Sequence, residues 1–309
     1  MFRTTPLIGR FAPSPTGALH TGSLVSAVGS WLMAKSAGGQ WLVRIDDLDS
    51  QRQVPGMADD ILATLERFAL FWDGEISRQS LNLELYEQAF QELKRKALLY
   101  PCCCSRREIS QAASAPHPTD DCLPYPGSCR NGMPEGRTVR SWRVRVTDEP
   151  VCFHDLRRGM ICQNLLTGCG DFPLRRADGE FAYQLAVVLD DRISGVNQVV
   201  RGDDLLASTP RQIHLQRLLA LPQPEYCHLP LVTGPGGTKL SKRDNLVSHH
   251  LGNWKDREGV LLHRVLRFLG QEPPAELSGA SCPQILAWGA AHFDLRKLPR
   301  KGGELTLVS

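Results

Sequence analysis

The chain has 309 residues, 42% of them hydrophobic and 22% charged, with a formal net charge of +3 at pH 7. That length leaves room for two or three domains around a large core, and the composition is that of an ordinary soluble protein. The mild positive charge permits an anionic partner without requiring one, no apolar run is long enough to span a bilayer, and Met1 to Pro6 lacks a signal core, so a cytoplasmic protein is expected. Ten cysteines, several crowded into one region, fit reduced thiols and a metal better than a disulfide framework.

Leu7 to Phe11 reads as a short strand. It runs into Arg10-Phe11-Ala12-Pro13-Ser14-Pro15-Thr16-Gly17-Ala18-Leu19-His20-Thr21-Gly22-Ser23, where two prolines and two glycines break regular structure. Leu24, Val25, Val28, Trp31 and Leu32 then repeat at helical spacing. A loop that delivers a helix N-terminus supplies unpaired N–H groups and partial positive charge, while Gly17, Gly22 and Ser23 allow phosphates close to the backbone. This is a candidate nucleotide site, although such a loop before a helix is also ordinary punctuation. Gly38-Gly39 stops the helix, and Gln40 to Ile45 follows as a second strand. Strand, helix and strand make a parallel unit, whose carboxyl edge carries Asp46, Asp47 and Asp49, where open α/β sheets place ligands.

Pro55 suits a first helical turn before the stripe Ile61, Leu62, Leu65, Phe68 and Ala69, and a second stripe runs through Tyr86, Ala89, Phe90, Leu93 and Ala97. From Tyr100 to about Pro134 the composition changes to a loop-rich insertion with Cys102, Cys103, Cys104, Cys122, Tyr125 and Cys129. Zinc held by thiolates can supply much of the folding energy of so small a module, but the spacing is no paired C-x-x-C ribbon and free thiols remain the alternative.

Trp142 to Val146 alternates with period two, with Val151 to His154 as its expected partner strand. Ala182 to Leu189 is an almost continuous apolar run ending in Asp190-Asp191, a buried helix or strand returning to the central domain. Val196 to Val200 leads into Arg201-Gly202-Asp203-Asp204, and Ser208, Thr209 and Pro210 open a helix with Ile213, Leu215, Leu218 and Leu219. The glycine-rich segment 233–238 then brings Lys239, Lys242 and Arg243 together. The last stretch combines helical patterns with Lys255, Arg257, Arg264, Arg267, Arg296, Lys297, Arg300 and Lys301, either a charged exterior or an RNA-facing surface.

With His20-Thr21-Gly22-Ser23 near the start and Lys239-Leu240-Ser241-Lys242-Arg243 far downstream, the chain resembles a class I aminoacyl-tRNA synthetase, whose two ATP signatures these are. Arg10 to Gly17, Arg44 to Asp49, Leu174 to Gly179, Ala182 to Asp191 and Val200 to Leu206 look specifically like the glutamyl branch. The resemblance covers nearly the whole chain and stops where a glutamyl-tRNA synthetase would continue into an anticodon-binding region, so the chain is similar to the truncated, stand-alone paralogue of that enzyme.

The resemblance implies an α/β fold: a Rossmann-type parallel sheet in two halves (1–98 and 181–232), an inserted zinc-containing acceptor-type subdomain (99–180), and a loop with a mainly helical stem-contact region (233–309). It implies activation of L-glutamate by ATP with Mg2+, without tRNA, then transfer of glutamate to queuosine at the wobble position of tRNA(Asp), by a monomer independent of membranes. Activation needs no covalent enzyme intermediate, because a carboxylate attacks the α-phosphorus and the protein aligns reactants and stabilises charge. By motif match His20 and Lys242 are catalytic, and His20, Gly22, Lys239 and Lys242 bind ATP, the lysines on a closing loop. Arg10, Ser14, Asp46, Tyr183 and Arg201 line the glutamate pocket, and Cys102, Cys104, Tyr125 and Cys129 hold one Zn2+, with Cys103 or Cys122 able to replace the phenol. Asp46 departs from the family's glutamate and is one methylene shorter, so its contact to the substrate ammonium is looser or bridged by water. Ser23 likewise replaces the final histidine of the first signature. The rival readings are a discriminating glutamyl-tRNA synthetase charging tRNA(Glu), an inactive paralogue that only binds RNA or a partner, and an unrelated nucleotidyltransferase sharing the phosphate loop, which would not need the Tyr183 and Arg201 segments. The missing anticodon-binding region argues against the first, and retention of Arg10, His20, Arg201, Lys239 and Lys242 against the second.

Overall fold

The structure, a computed structural model, describes residues 6–112, 124–234 and 251–305. In chain order its first half holds β1 (Ile8–Phe11), α1 (Thr21–Ser36), β2 (Gln40–Ile45), α2 (Met57–Arg67), β3 (Ser77–Arg78) and α3 (Leu83–Arg95). The middle holds β4 (Leu99–Cys102), α4 (Arg106–Ala112), β5 (Ser141–Val144), β6 (Pro150–Asp155), β7 (Gly159–Asn164), α5 (Leu165–Gly168) and β8 (Pro173–Arg175). The chain then continues through α6 (Tyr183–Ile193), β9 (Gln198–Gly202), α7 (Thr209–Leu218), β10 (Glu225–Leu229), β11 (Val232–Thr233), α8 (Glu258–Phe268), α9 (Cys282–His292) and β12 (Gly303–Glu304).

β1, β2 and β3 pair in parallel, and β9, β10 and β6 form a second parallel set. Hydrogen bonds between Ile8 and Asn197 join them, so β1 lies beside β9 and the two halves make one layer. Period-two alternation decides what each face carries. Phe11, Val43, Ile45, Val200, Cys227 and Leu229 enter one core with α1, α2, α8 and α9, while Val199 and Tyr226 enter a second core with α3, α6 and α7. By the same alternation Arg10, Arg44, Arg201 and His228 sit on the second face, at the carboxyl ends of their strands. All four are buried.

α1 is buried around most of its circumference, which is why its sequence reads as weakly amphipathic. The run from Ala182 resolves as helix α6, because its eleven residues are too long for a strand of this sheet and it must carry the chain back over it.

Two expectations are corrected in the middle segment. β5 pairs antiparallel with β4 and β8, whereas β6 pairs with β7 and, in parallel, with β10, so 151–154 is not the partner of 142–146. The alternating pattern gives strand character and cannot choose the neighbour. The β6–β7 hairpin thereby joins the central layer although it lies within 99–180. Second, Cys152 and Cys162, directly opposite across that hairpin, form a disulfide rather than two reduced thiols. The seven other described cysteines form no disulfide, and Cys122 lies outside the described residues.

Candidate active site

The loop after β1, the N-terminus of α1, the start of α6 and the end of β9 enclose a cavity of about 430 Å³. Arg10, Ser14, His20, Gly22, Tyr183 and Arg201, all expected from the sequence, line it together. Lys239 and Lys242 lie outside the described residues.

His20 is the N-cap of α1. Its backbone is extended, its carbonyl accepts from Leu24 N–H at 2.9 Å, and its Nδ1 accepts from Ser23 N–H at 3.2 Å. An accepting Nδ1 places the proton of the neutral ring on Nε2, making that edge a donor. Gly22 lies tight against this ring: a Cβ there would stand 3.0 Å from His20 Cε1, so the ring would have to shift. The motif thus sets an imidazole against a helix N-terminus, whose partial positive charge suits a phosphate.

Arg10 is 4% exposed, and its Nε donates to Asp191 Oδ1 on α6 at 3.0 Å. The same oxygen accepts from Arg44 Nη1 at 2.6 Å, and Arg44 Nε donates to Asp46 Oδ1 at 2.6 Å. Arg44 therefore stands among three carboxylates, with Asp190 Oδ2 3.8 Å from its Nε. Burial opposes its charge, but Asp46, Asp191 and Asp190 outweigh burial and keep it protonated. Asp191 is held below the usual carboxylate range because Arg10 and Arg44 overcome its desolvation. Asp46 goes the other way, since burial exceeds the pull of its one direct partner, Arg44, and lifts its pKa to about 6. Asp46 is thus adjacent to the cavity but turned to Arg44, and it is not among the residues that line the wall.

Arg201 is 5% exposed; its Nε and Nη2 have protein partners, whereas its buried Nη1 has none among the described residues. A buried guanidinium with an unmade hydrogen bond at a cavity wall is a seat for an anion such as a carboxylate. Sequence reading missed Asp191 and Arg44 as the frame of Arg10, and His228 and Thr209 as the frame of Arg201. The available signal was a charged or polar residue standing at a core-facing position of an apolar strand, as in Val43-Arg44-Ile45 and Cys227-His228-Leu229.

Away from the cavity, the Sγ atoms of Cys102, Cys104 and Cys129 lie within 4.8 Å of one another. The Tyr125 hydroxyl is 3.4 Å from Cys102 Sγ and 3.9 Å from Cys104 Sγ, and it accepts from Cys129 N–H at 2.8 Å. Cys103 Sγ approaches Cys129 at 3.6 Å but stands outside the three-thiol group. Burial works against the Cys129 thiolate, yet hydrogen bonds from the Cys103 backbone, Tyr125 and the neighbouring thiols bring its pKa down to about 7. Arg143 adds positive charge, with Nε 3.3 Å from Cys102 Sγ and its guanidinium 3.8 Å from the centre of the Tyr125 ring. Three clustered thiols beside a cation are a donor set for a soft divalent metal such as zinc.

Among curated proteins, the chain is 59% identical to glutamyl-Q tRNA(Asp) synthetase of Geobacter sulfurreducens, over 95% of this chain and 94% of that one. It is 51% identical to the protein of the same name from Dechloromonas aromatica, over 96% and 97%. Among solved structures, the glutamate tRNA ligase of Elizabethkingia meningosepticum in complex with its amino acid superposes with a TM-score of 0.79 at 23% identity, over 98% of this chain and 68% of that one. The glutamate-tRNA synthetase of Elizabethkingia anophelis gives the same TM-score at 25% identity, over 97% and 68%. The family model for the catalytic domain of class I tRNA synthetases (E and Q) matches residues 6–278, and the chain belongs to that family.

Proposed function

We propose that this chain joins L-glutamate to ATP, forming glutamyl-adenylate without tRNA, and then transfers the glutamyl group to queuosine at the wobble position of tRNA(Asp). The observation that carries the first step is the convergence of two buried arginines, Arg10 and Arg201, on one cavity beside the His20-capped end of α1. Cations at two walls match an amino acid with two carboxylates, and the helix end matches a nucleotide phosphate. The acceptor reading is carried by the relatives' shared name at up to 59% identity.

In this reading Arg201 and Arg10 anchor the two carboxylates of glutamate, Tyr183 and Ser14 complete the pocket, and Asp46 balances the ammonium. The bound carboxylate oxygen attacks the α-phosphorus, the bond to the bridging oxygen breaks, and pyrophosphate leaves. His20 donates through Nε2 and Lys242 and Lys239 supply positive charge as negative charge builds on the phosphates, while Mg2+ accompanies ATP. A nucleophile of queuosine then attacks the acyl carbon and AMP departs. Cys102, Cys104, Cys129 and Tyr125 would hold one Zn2+, which would tie β4 to the turn at 125–129 and take no part in the chemistry. The chain works as a cytoplasmic monomer; among the described residues no helix is long and apolar enough to cross a membrane.

Two assays test this. Glutamate-dependent exchange of pyrophosphate into ATP is expected in the absence of tRNA, and no exchange would defeat the activation step. Labelled glutamate is then expected on queuosine-containing tRNA(Asp), not on the same tRNA lacking queuosine. Labelling of tRNA(Glu) instead would establish the discriminating synthetase.

A further inference from the structure

We infer that His228, together with Thr209, is a positioning residue that sets the guanidinium of Arg201 and so governs affinity for glutamate. The inference rests on reading Arg201 as a carboxylate anchor.

His228 lies on β10 and is fully buried. Its Nδ1 is 2.7 Å from Asp155 Oδ2 on β6, and that oxygen also accepts the His228 backbone N–H at 3.0 Å. Asp155 Oδ1 accepts the backbone N–H groups of Arg157 and Arg158 at 3.0 and 2.8 Å. Burial would raise the Asp155 pKa, but hydrogen bonds from His228, Arg158 and Arg157 hold it below the usual range, so it is an acceptor only. Nδ1 must therefore donate. Burial also lowers the pKa of His228 and outweighs the help of Asp155, so the ring is neutral and its Nε2 is an acceptor.

Nε2 faces Arg201 Nε at 3.2 Å and Thr209 Oγ1 at 3.0 Å. Thr209 Oγ1 in turn accepts from Arg201 Nη2 at 2.7 Å, leaving its own hydrogen for Nε2. His228 Nε2 thus faces two donors with one lone pair, a shared acceptor that ties both Arg201 Nε and Thr209 Oγ1 to the ring. Two of the three guanidinium nitrogens are fixed by the protein, and the third, Nη1, has no partner among the described residues. Such a fork pre-orients a long, flexible side chain before substrate arrives, which removes an ordering cost from binding. Arg201 and Asp203 on the β9 side, Asp155 on β6 and Arg157, which donates to the His228 carbonyl, are the charged groups around the ring. A doubly protonated ring would turn a second donor onto Arg201 Nε, so the neutral form is the one that works.

The experiment measures KM for glutamate and for ATP by pyrophosphate exchange, with thermal midpoints for every variant. Losing an acceptor for a charged donor corresponds to about tenfold or more, so His228→Leu is expected to raise glutamate KM by about tenfold and leave ATP KM within about twofold. His228→Gln, whose amide oxygen reaches the Nε2 position, should recover most of the loss. His228→Asn, which reaches only the Nδ1 position, should not. A purely structural role would lower the thermal midpoint and move both KM values, or neither. Unchanged glutamate KM in His228→Leu, or equal behaviour of the Gln and Asn variants, overturns the inference. Should His228→Leu fail to fold, Thr209→Val carries the test, with the same rise expected and Thr209→Ser as its rescue; unchanged glutamate KM in Thr209→Val is equally decisive against it. Arg201→Lys separates the two levels. If it leaves glutamate KM unchanged, the anchor reading itself fails; if it raises KM while His228→Leu does not, only the positioning role fails.

Discussion

Arg10 on β1 and Asp191 on α6, 181 residues apart in sequence, meet through a 3.0 Å contact between Nε and Oδ1 in the buried wall of the cavity. Asp191 spends the same oxygen on Arg44, so a single carboxylate ties two strands of the sheet to the helix that crosses it. Removing one partner of a buried pair leaves the other charge uncompensated, at a cost of about 3 kcal/mol or more. Asp191→Asn is therefore expected to lose about 3 kcal/mol in urea unfolding and to raise glutamate KM. A change within about 0.5 kcal/mol would show that Arg44 and Arg10 are held by something else.

Asp46 gives a pH dependence of defined sign. Its folded-state pKa stands at about 6, raised by burial, so between about pH 4 and 6 the folded protein holds a proton there that the unfolded chain releases. Stability from this group is fully present below about pH 4 and is lost as pH rises through about 6. Asp191, held below the ordinary value by Arg10 and Arg44, acts in the opposite sense and loses its contribution only as pH falls below about 4. If Asp46 serves the glutamate ammonium, a proton competes with that ammonium, and glutamate KM should climb as pH drops below about 6. Asp46→Asn should flatten that limb; an identical profile in the variant would separate Asp46 from the substrate.

Gly170 offers a way to disturb the thiol cluster without touching a ligand. It has φ +67°, and a Cβ there would overlap the Tyr125 carbonyl oxygen, in the segment whose N–H bonds Cys169. Gly170→Ala is expected to reduce zinc content by elemental analysis, as Cys129→Ser should do more fully. Full occupancy in Cys129→Ser would mean that metal, if bound, sits elsewhere.

Lys242 lies outside the described residues, and its role comes from the signature alone. A charge-assisted contact made in the transition state contributes about 2 kcal/mol or more, so Lys242→Ala should slow pyrophosphate exchange by well over about tenfold. An unaffected rate would remove it from the mechanism.

Strands β1, β2, β5, β6 and β9 and the helix start at Thr209 were legible because they rest on local chemistry, turn residues, caps and apolar periodicity, whereas β10 was not read and α1 begins at Thr21, ahead of the stripe from Leu24 that marked it. The convergence of Arg10, Ser14, His20, Tyr183 and Arg201 was legible only through resemblance, since no local rule relates position 10 to position 201. Strand partners were not legible, and 151–154 was assigned to the wrong sheet, because alternation defines two faces and says nothing about neighbours. The Cys152–Cys162 bridge escaped for the same reason: it depends on hairpin register.

By itself the sequence determined that the chain alternates strands and helices after a proline-glycine loop, and by resemblance it marked Arg10 and Arg201 as cations of one site while missing Arg44 beside them. Only the tertiary structure decided what those cations do at rest. Arg44, Arg10 and Arg201 occupy core-facing positions where hydrophobic residues would be expected. Burial makes each unmade hydrogen bond costly, so each must find partners, some near in the chain (Asp46 for Arg44, Thr209 for Arg201) and some brought from another element: Asp191 for Arg10 and Arg44, and His228 for Arg201. What those partners leave unsatisfied is the Nη1 of Arg201, which has no hydrogen-bond partner among the described residues.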